Sequence, residues 1–449
     1  MRKGNRILSG LLALVMAAVM LLCPAAAISY EPDFTPTSKA VYLENLDTGL
    51  ILYEKNADEK MYPASLTKIM TAIVVLENVK DLDGETAEYP MWIQNMLYGT
   101  NASLGGLIVG EELTIRQLLT SALVQSGNES AMILAGYVGS GGMADFMPRD
   151  ITTFVEMMND KAKALGCTGT HFTNPTGLHS DNTYTTARDM AIMAKYAMQK
   201  SEFSSIVKNY AVQLGQTNKH ADLWQYSTNK MLLTSSPYYY APVVGIKTGS
   251  TDEAGRCVIS QAEDSGYHYF CVVMGSPVTA AEPYQNFIET RQLYRWAFGN
   301  FSLRTLLEQG ELMAEVPVKY SGDGKVAKLA IKEDVVQLLR DDISLDSIIY
   351  KAELPEFVEA PIAAGDTVGK MHIMLMGEEI GTVELVATQA FSLSWFRKAL
   401  GTIGSLLSST VAKVILIVVV LAIAGYIVYA VRHNKKRKKH RSKYSDRNY

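Results

Sequence analysis

Residues 62–75 read YPASLTKIMTAIVV, a proline-led turn running into an apolar helix. Pro63 and Ala64 precede the helical pattern, which puts Ser65 near the first turn and Lys68 on the same face one turn later. That spacing carries chemistry. A serine hydroxyl is a poor nucleophile until a base accepts its proton, and a lysine accepts one only as the neutral amine. Burial or a second nearby cation pushes a lysine toward that form. The helix start also aims backbone N–H groups at an oxyanion formed beside it. Alone the signal is weak: the spacing recurs at Ser205 and Lys208, and an ordinary helix-start serine with a solvated lysine has the same text.

A second element lies far along the chain. Lys247-Thr248-Gly249 is the only K-T-G and ends the strand-like run VVGIKTGS at 243–250. On an edge strand, the lysine and threonine can bind a substrate carboxylate while the glycine lets a substrate backbone come close; the bland alternative is a turn after a strand. A third element, Ser-x-Asn, has three candidates: Ser126-Gly127-Asn128, Ser180-Asp181-Asn182 and Ser227-Thr228-Asn229. Ser126 interrupts two apolar helical runs, IRQLLTSALVQ and ESAMILAGYVG, so its loop is expected within a helical region facing a cleft. Ser180 sits in the polar stretch HSDNTYTT, expected to be solvated, and Ser227 in an apolar pattern, expected to be structural.

Around these elements, helical periodicity covers residues 66–77, 115–125, 130–139, 151–165, 186–199 and 284–296. Strands are predicted at 40–45, 50–54, 243–247, 255–262 and 267–274, the last two joined by a hairpin turn at Asp264-Ser265-Gly266. Strands from both ends with helices between predict an α+β domain, an antiparallel sheet with an inserted helical subdomain. From residue 303 the text becomes alternating and turn-rich, as in GDTVGKMHIMLMGEEIGTVELVA at 365–387, predicting a small β domain over 303–390.

The 449 residues carry a net charge of -4, which averages unlike parts. The start is +3 and precedes an apolar run ending in Ala25-Ala26-Ala27, read as a secretory signal over 1–27. Cys23 invites a lipoprotein reading, but Leu22 before it is larger than a lipid-attachment site usually tolerates. At the other end, residues 391–410 are amphipathic, 411–431 are apolar enough for a single transmembrane helix, and the tail 432–449 is strongly basic. By the positive-inside rule the tail is cytoplasmic and the body faces outward at the cell membrane. The body between has a net charge of -15, which disfavours nucleic-acid binding. Cys167, Cys257 and Cys271 are too few for a disulfide framework; a bridge between Cys257 and Cys271 and free buried thiols both remain open.

No histidine motif with zinc-ligand spacing, G-x-S-x-G elbow, Walker loop or dinucleotide loop occurs, so no metal and no cofactor are expected. The ordered set Ser65-x-x-Lys68, Ser126-x-Asn128, Lys247-Thr248-Gly249 resembles the penicillin-binding serine enzymes. More closely, the chain resembles the low-molecular-weight D-alanyl-D-alanine carboxypeptidases, serine peptidase family S11. The likeness extends to LENLDTGLILYEKNADEKMYPASLTKIMTA, LTSALVQSGNESA, FVEMMNDKAKALGCTGTHFTNPTGL, TTARDMAIMA, GIKTGSTDEAGRC and APIAAGDTVGK, so it covers about residues 36–390.

The resemblance implies a β-lactamase/transpeptidase-like catalytic domain over 28–302 and a β-sandwich-like domain after it. It implies that Ser65 attacks the bond between the terminal D-alanines of a peptidoglycan stem peptide, with Lys68 as base and Ser126 relaying a proton, assisted by Lys247. Asn128 would hold the substrate amide, Lys247 and Thr248 the terminal carboxylate, and the N–H groups of Ser65 and Ser250 the oxyanion. β-Lactams would acylate Ser65. Two departures stand out: Glu129-Ser130 replaces the usual Asp-Ala, and Arg256 follows Ala254-Gly255 where an aromatic is usual. A β-lactamase needs an acid to activate the deacylating water, for which Glu156 is the candidate; a sensing receptor needs a signalling domain, for which the short basic tail leaves no room.

Overall fold

The computed structural model describes residues 30–408 and 410–445; the predicted signal over 1–27 lies outside them, as do residues 446–449 of the tail. The described chain divides into two compact units. The first runs to Leu303 and takes back Leu338–Asp342; the second holds Arg304–Gln337 and the chain from Ile343 onward.

In the first unit, β1 (Ala40–Asn45), β2 (Ile51–Lys55), β3 (Lys247–Thr251), β4 (Gly255–Asp264) and β5 (Tyr267–Ser276) form one antiparallel sheet in the order β2-β1-β5-β4-β3. The two ends of the unit zip together, Val41 opposite Val273 and Leu43 opposite Cys271. Both faces are covered. Tyr42, Ile259, Phe270 and Val272 join the main helical core. The other face meets α5 (Gln285–Asn300): Tyr269 packs edge-on to Phe298 at 4.8 Å, and the Ser260 and Tyr294 hydroxyls lie 2.9 Å apart. A sheet buried on both sides selects continuous apolar runs rather than alternation, which is why β1 is buried at all six positions.

The helical subdomain turns on α1 (Lys68–Asn78), which packs against α2 (Asn128–Gly139), α3 (Pro148–Ala164) and α4 (Ala187–Met198). Every α1 residue from Lys68 to Val75 is buried, as expected of a helix apolar on all sides. The α3 helix starts on Pro148 with Asp150 accepting the Met147 N–H at 2.6 Å, and α4 starts on Thr186, whose hydroxyl accepts the Asp189 N–H at 3.0 Å.

Three expectations change. The strand predicted at 243–247 begins only at Lys247: Gly245 has φ +96°, which breaks regular pairing in VVGIK and puts K-T-G inside the strand rather than at its end. The helix predicted at 115–125 stops at Thr120 and continues as a wider, π-type turn over Ser121–Gln125. Cys167, Cys257 and Cys271 are free and buried. The bridge left open between the last two does not form, because Cys257 joins the helical core while Cys271 lies on the sheet face toward Thr290 of α5.

In the second unit, β6 (Leu312–Lys319), β7 (Val326–Ile331), β8 (Ile348–Glu353), β9 (Val358–Glu359), β10 (Thr367–Leu375) and β11 (Glu378–Ala387) form a six-stranded sheet in the order β8-β10-β11-β7-β6-β9. Only the β6–β9 pairing is parallel. Here the apolar positions alternate: Met371, Ile373 and Leu375 on β10 and Val383, Leu385 and Ala387 on β11 are buried between more exposed neighbours. Two helices follow, α6 (Trp395–Ser408) and α7 (Thr410–Ser445). Within α7, Lys413–Lys435 has mean hydropathy 3.0 and is unburied, long enough for a bilayer core.

The β4–β5 turn has positive φ at both central residues, Ser265 at +51° and Gly266 at +83°, the mirror-image turn that matches strand twist. Gly266→Val should keep the fold but lower stability by about 1–2 kcal/mol, read from denaturant unfolding of the two proteins side by side.

Candidate active site

Ser65 sits in a single 3-10 turn, Ala64–Thr67, ahead of α1. Ala64 has φ +46°, a conformation uncommon for a residue with a Cβ. Its carbonyl is held under Gly177, where an added Cβ would lie 1.8 Å from Ala64 O. Gly177 is itself fixed by an Asn174 turn: Asn174 Oδ1 accepts the N–H groups of Thr176 at 3.1 Å and Gly177 at 2.7 Å. The same loop turns the Thr176 carbonyl inward.

Lys68 is fully buried. Its Nζ lies 3.1 Å from Ser65 Oγ, 2.5 Å from Asn128 Oδ1 and 2.8 Å from Thr176 O. The two carbonyl oxygens can only accept. A neutral amine has two N–H bonds and one lone pair, so donating to both carbonyls leaves the lone pair for the Ser65 hydroxyl. Burial holds the Lys68 pKa well below that of a free lysine; the Lys247 charge lowers it further and Glu129 opposes.

Lys247 lies at the start of the edge strand β3, 1% exposed, and burial pulls its pKa down to about 7. Its Nζ donates to Ser126 Oγ and Thr248 O, each at 3.0 Å. Ser126 reaches this position by leaving the wide turn in the left-handed region, φ +66° and ψ +31°, and Asn128 then opens α2. The Thr248 and Thr228 hydroxyls are 2.5 Å apart. Gly249 serves a different approach from the one expected: a Cβ there would lie 3.0 Å from Pro63 O and 3.2 Å from Leu66 N, so its absence lets β3 pack against the turn carrying Ser65.

The structure thus brings together all eight residues singled out. Ser65, Ser126, Thr248, Gly249 and Ser250 line a cleft of about 310 Å³, with Lys68, Asn128 and Lys247 buried behind it. The rival motifs fall elsewhere. Ser205 donates to Glu202 O at 2.9 Å on an exposed helix face, and Asp181 and Asn182 are solvated. Asn229 is structural as expected, accepting the Met231 N–H at 3.0 Å, yet its neighbours Thr228 and Lys230 line the cleft. Ser227 and Lys230 share the Ser-x-x-Lys spacing, a match that sequence reading passed over. Thr176 was missed too, because it acts through a backbone carbonyl.

Of the two departures, Glu129 is buried, with Oε1 accepting the Gly105 N–H at 2.6 Å, and Ser130 Oγ donates to Ser121 Oγ at 2.8 Å. No carboxylate is among the cleft-lining residues described, and Glu156 lies on the exposed face of α3.

This arrangement suits serine acyl transfer with a lysine as base. A family model described as D-alanyl-D-alanine carboxypeptidase matches residues 27–278, and one described as penicillin-binding protein 5, C-terminal domain, matches residues 301–392. The chain belongs to the D-alanyl-D-alanine carboxypeptidase family. It is 29% identical over 396 residues to the D-alanyl-D-alanine carboxypeptidase DacF of Bacillus subtilis, covering 86% of this chain and 95% of that one. It is 33% identical over 272 residues to the D-alanyl-D-alanine carboxypeptidase of a Streptomyces species, covering 59% and 88%. Among solved structures, penicillin binding protein 5 from Haemophilus influenzae superposes with a TM-score of 0.60 at 27% identity, covering 81% of this chain and all of that one.

Because the Ser65 turn rests on Gly177, Gly177→Ala should displace the nucleophile. Acylation by a fluorescent penicillin should slow by roughly 10- to 100-fold, with the circular dichroism spectrum unchanged.

Proposed function

We propose that Ser65 is the acylated nucleophile of this D-alanyl-D-alanine carboxypeptidase and that neutral Lys68 is its base. The observation carrying this is the 3.1 Å approach of Lys68 Nζ to Ser65 Oγ, with two carbonyl acceptors claiming the amine's N–H bonds. Ser65 attacks the carbonyl between the two terminal D-alanines of a peptidoglycan stem peptide as its proton passes to Lys68. Ser126, touching Lys247, returns a proton to the departing D-alanine nitrogen. Asn128 orients Lys68 as well as the substrate amide, and Thr248 with Lys247 faces the terminal carboxylate. The N–H groups of Ser65 and Ser250 stabilise the oxyanion. Water then hydrolyses the acyl-enzyme. A penicillin follows the first half of this course and stops at the acyl-enzyme.

Residues 28–302 are assigned as the catalytic domain and 303–390 as the small β domain. The apolar helix anchors the protein in the cell membrane, crossing it once with the catalytic body outside and the basic tail inside. Ending the chain at residue 409 should move the protein from the membrane pellet to the released fraction, with penicillin acylation retained. A protease added to intact cells should remove the body and leave the tail.

Ser65→Ala should abolish D-alanine release from a stem pentapeptide, while Ser205→Ala should leave it intact. The pH profile carries a sign. Lys68 works as the neutral amine, so turnover falls as pH drops through its lowered pKa. Glu129 favours the protonated amine, so Glu129→Gln should move the acid limb of kcat/KM to lower pH. No shift, or a shift upward, would contradict that coupling.

A further inference from the structure

Two of the cleft-lining residues, Ser103 and Thr228, belong to segments that continue outward from Ser65. Thr228 follows a short antiparallel ribbon, Ala211–Gln213 paired with Trp224–Tyr226. Ser103 opens a loop, residues 103–111, that lies beside the ribbon: buried Gln225 donates from Nε2 to Gly105 O at 2.9 Å. Successive strand residues face opposite ways, so with Gln225 turned inward, Trp224 and Tyr226 share the outer face. They are 47% and 50% exposed. Leu104 and Ile108 on the loop are exposed as well.

The local fold does not call for these rings. A two-stranded ribbon is marginal by itself, and this one is fixed by polar anchors. Gln117 Nε2 donates to Leu214 O at 2.8 Å, the Tyr226 N–H to Gln125 Oε1 at 3.0 Å, Asn218 Nδ2 to Gly110 O at 2.9 Å, and the Thr217 hydroxyl to buried Glu111 at 2.6 Å. Single exposed apolar side chains are ordinary, but here two aromatics stand on one face of an anchored ribbon, and both are oriented. Trp224 Nε1 donates to Asp222 Oδ2 at 3.0 Å, and the Tyr226 ring meets that of Tyr210 at 6.1 Å. A fixed indole presents its electron-rich face, which attracts the slightly positive C–H groups of a sugar ring. Asp222 Oδ1 can accept from a sugar hydroxyl beside it.

We propose that Trp224 and Tyr226, on the ribbon beside the Ser65 cleft, form a ledge that binds the glycan chain to which a peptidoglycan stem peptide is attached. This rests on Ser65 acting on such a peptide, and it adds a sugar contact to the peptide contacts. The ledge is continuous with the cleft through Thr228 and Ser103, so one substrate molecule can reach both. The full-length protein in detergent is given a free stem pentapeptide or the same pentapeptide carrying its disaccharide, and D-alanine release is followed. Wild type should show the lower KM for the glycopeptide. Trp224→Ala should raise that KM roughly 10-fold, while kcat and the free-peptide KM stay within a few-fold. Trp224→Phe should keep part of the advantage, and melting midpoints check that each variant is folded. A second measurement needs no turnover: calorimetric titration of Ser65→Ala with soluble, peptide-free glycan chains should show binding that an added Trp224→Ala removes. If Trp224 only braces the ribbon, or if this face takes a protein partner, the two substrates respond alike and the proposal is overturned. Glycan binding that survives Trp224→Ala overturns it too. Failure of the Ser65 reading looks different: neither substrate releases D-alanine, while the glycan titration still depends on Trp224.

Discussion

Two amines buried in one small cluster govern the rest of this molecule. Lys68 and Lys247 are both withdrawn from water, and each lowers the chance that the other is charged. Two ammonium groups in such a place are disfavoured, and Lys68 has its pKa held well below that of a free lysine, by burial first and by the Lys247 charge second. A neutral lysine beside a hydroxyl is a base. The chemistry is therefore a consequence of burial, and burial is a consequence of where α1 sits: its first residue is Lys68, and its whole first half is enclosed by three helices.

Holding that cluster requires parts of the chain that are far apart. The partners of Lys68 include Asn128 and Thr176, and the partner of Lys247 is Ser126, 121 positions away. The sheet provides Lys247 from its open edge, where only one side of the strand is paired. Close approach is arranged by glycines, Gly249 against the Ser65 turn and Gly177 over the Ala64 carbonyl. Ala64 and Ser126 both adopt positive φ, at an expense of roughly 1–3 kcal/mol each. Ala64 precedes Ser65 and Ser126 touches Lys247, so the strain is spent where the geometry of the cluster must be held against relaxation.

Much of this was legible beforehand, for a physical reason. Ser65, Lys68, Ser126, Asn128, Lys247 and Thr248 meet in the cluster through their side chains, and side-chain types leave letters in fixed order. The apolar runs that build β1, β4 and β5 were equally readable, because a sheet covered on both faces needs them. What stayed hidden acts through the backbone or through distance. Thr176 contributes a carbonyl, which every residue has. The wide turn at Ser121–Gln125 carries helical periodicity and differs only in its pitch. Gly249 was read toward the substrate, whereas its missing Cβ faces Pro63 and Leu66, a relation between segments that no local pattern encodes. Arg256 was visible as a departure, but not the Tyr284 ring that the fold brings beneath it.

The charge distribution follows the same logic on a larger scale. The chain between its two basic ends is acidic, with a net charge of -15, and the average would repel an anionic peptide end. The cleft inverts that sign with Lys230 and Arg256, both lying over the Tyr284 ring, beside Lys247, whose pKa burial lowers to about 7. A local field of one sign in a low-dielectric groove steers a charged ligand more effectively than the same charges spread over a surface. The acidic exterior then works with the cleft: a free carboxylate gains by leaving the general surface for it. A basic patch over the whole body would bind anions in many places and discriminate among few of them.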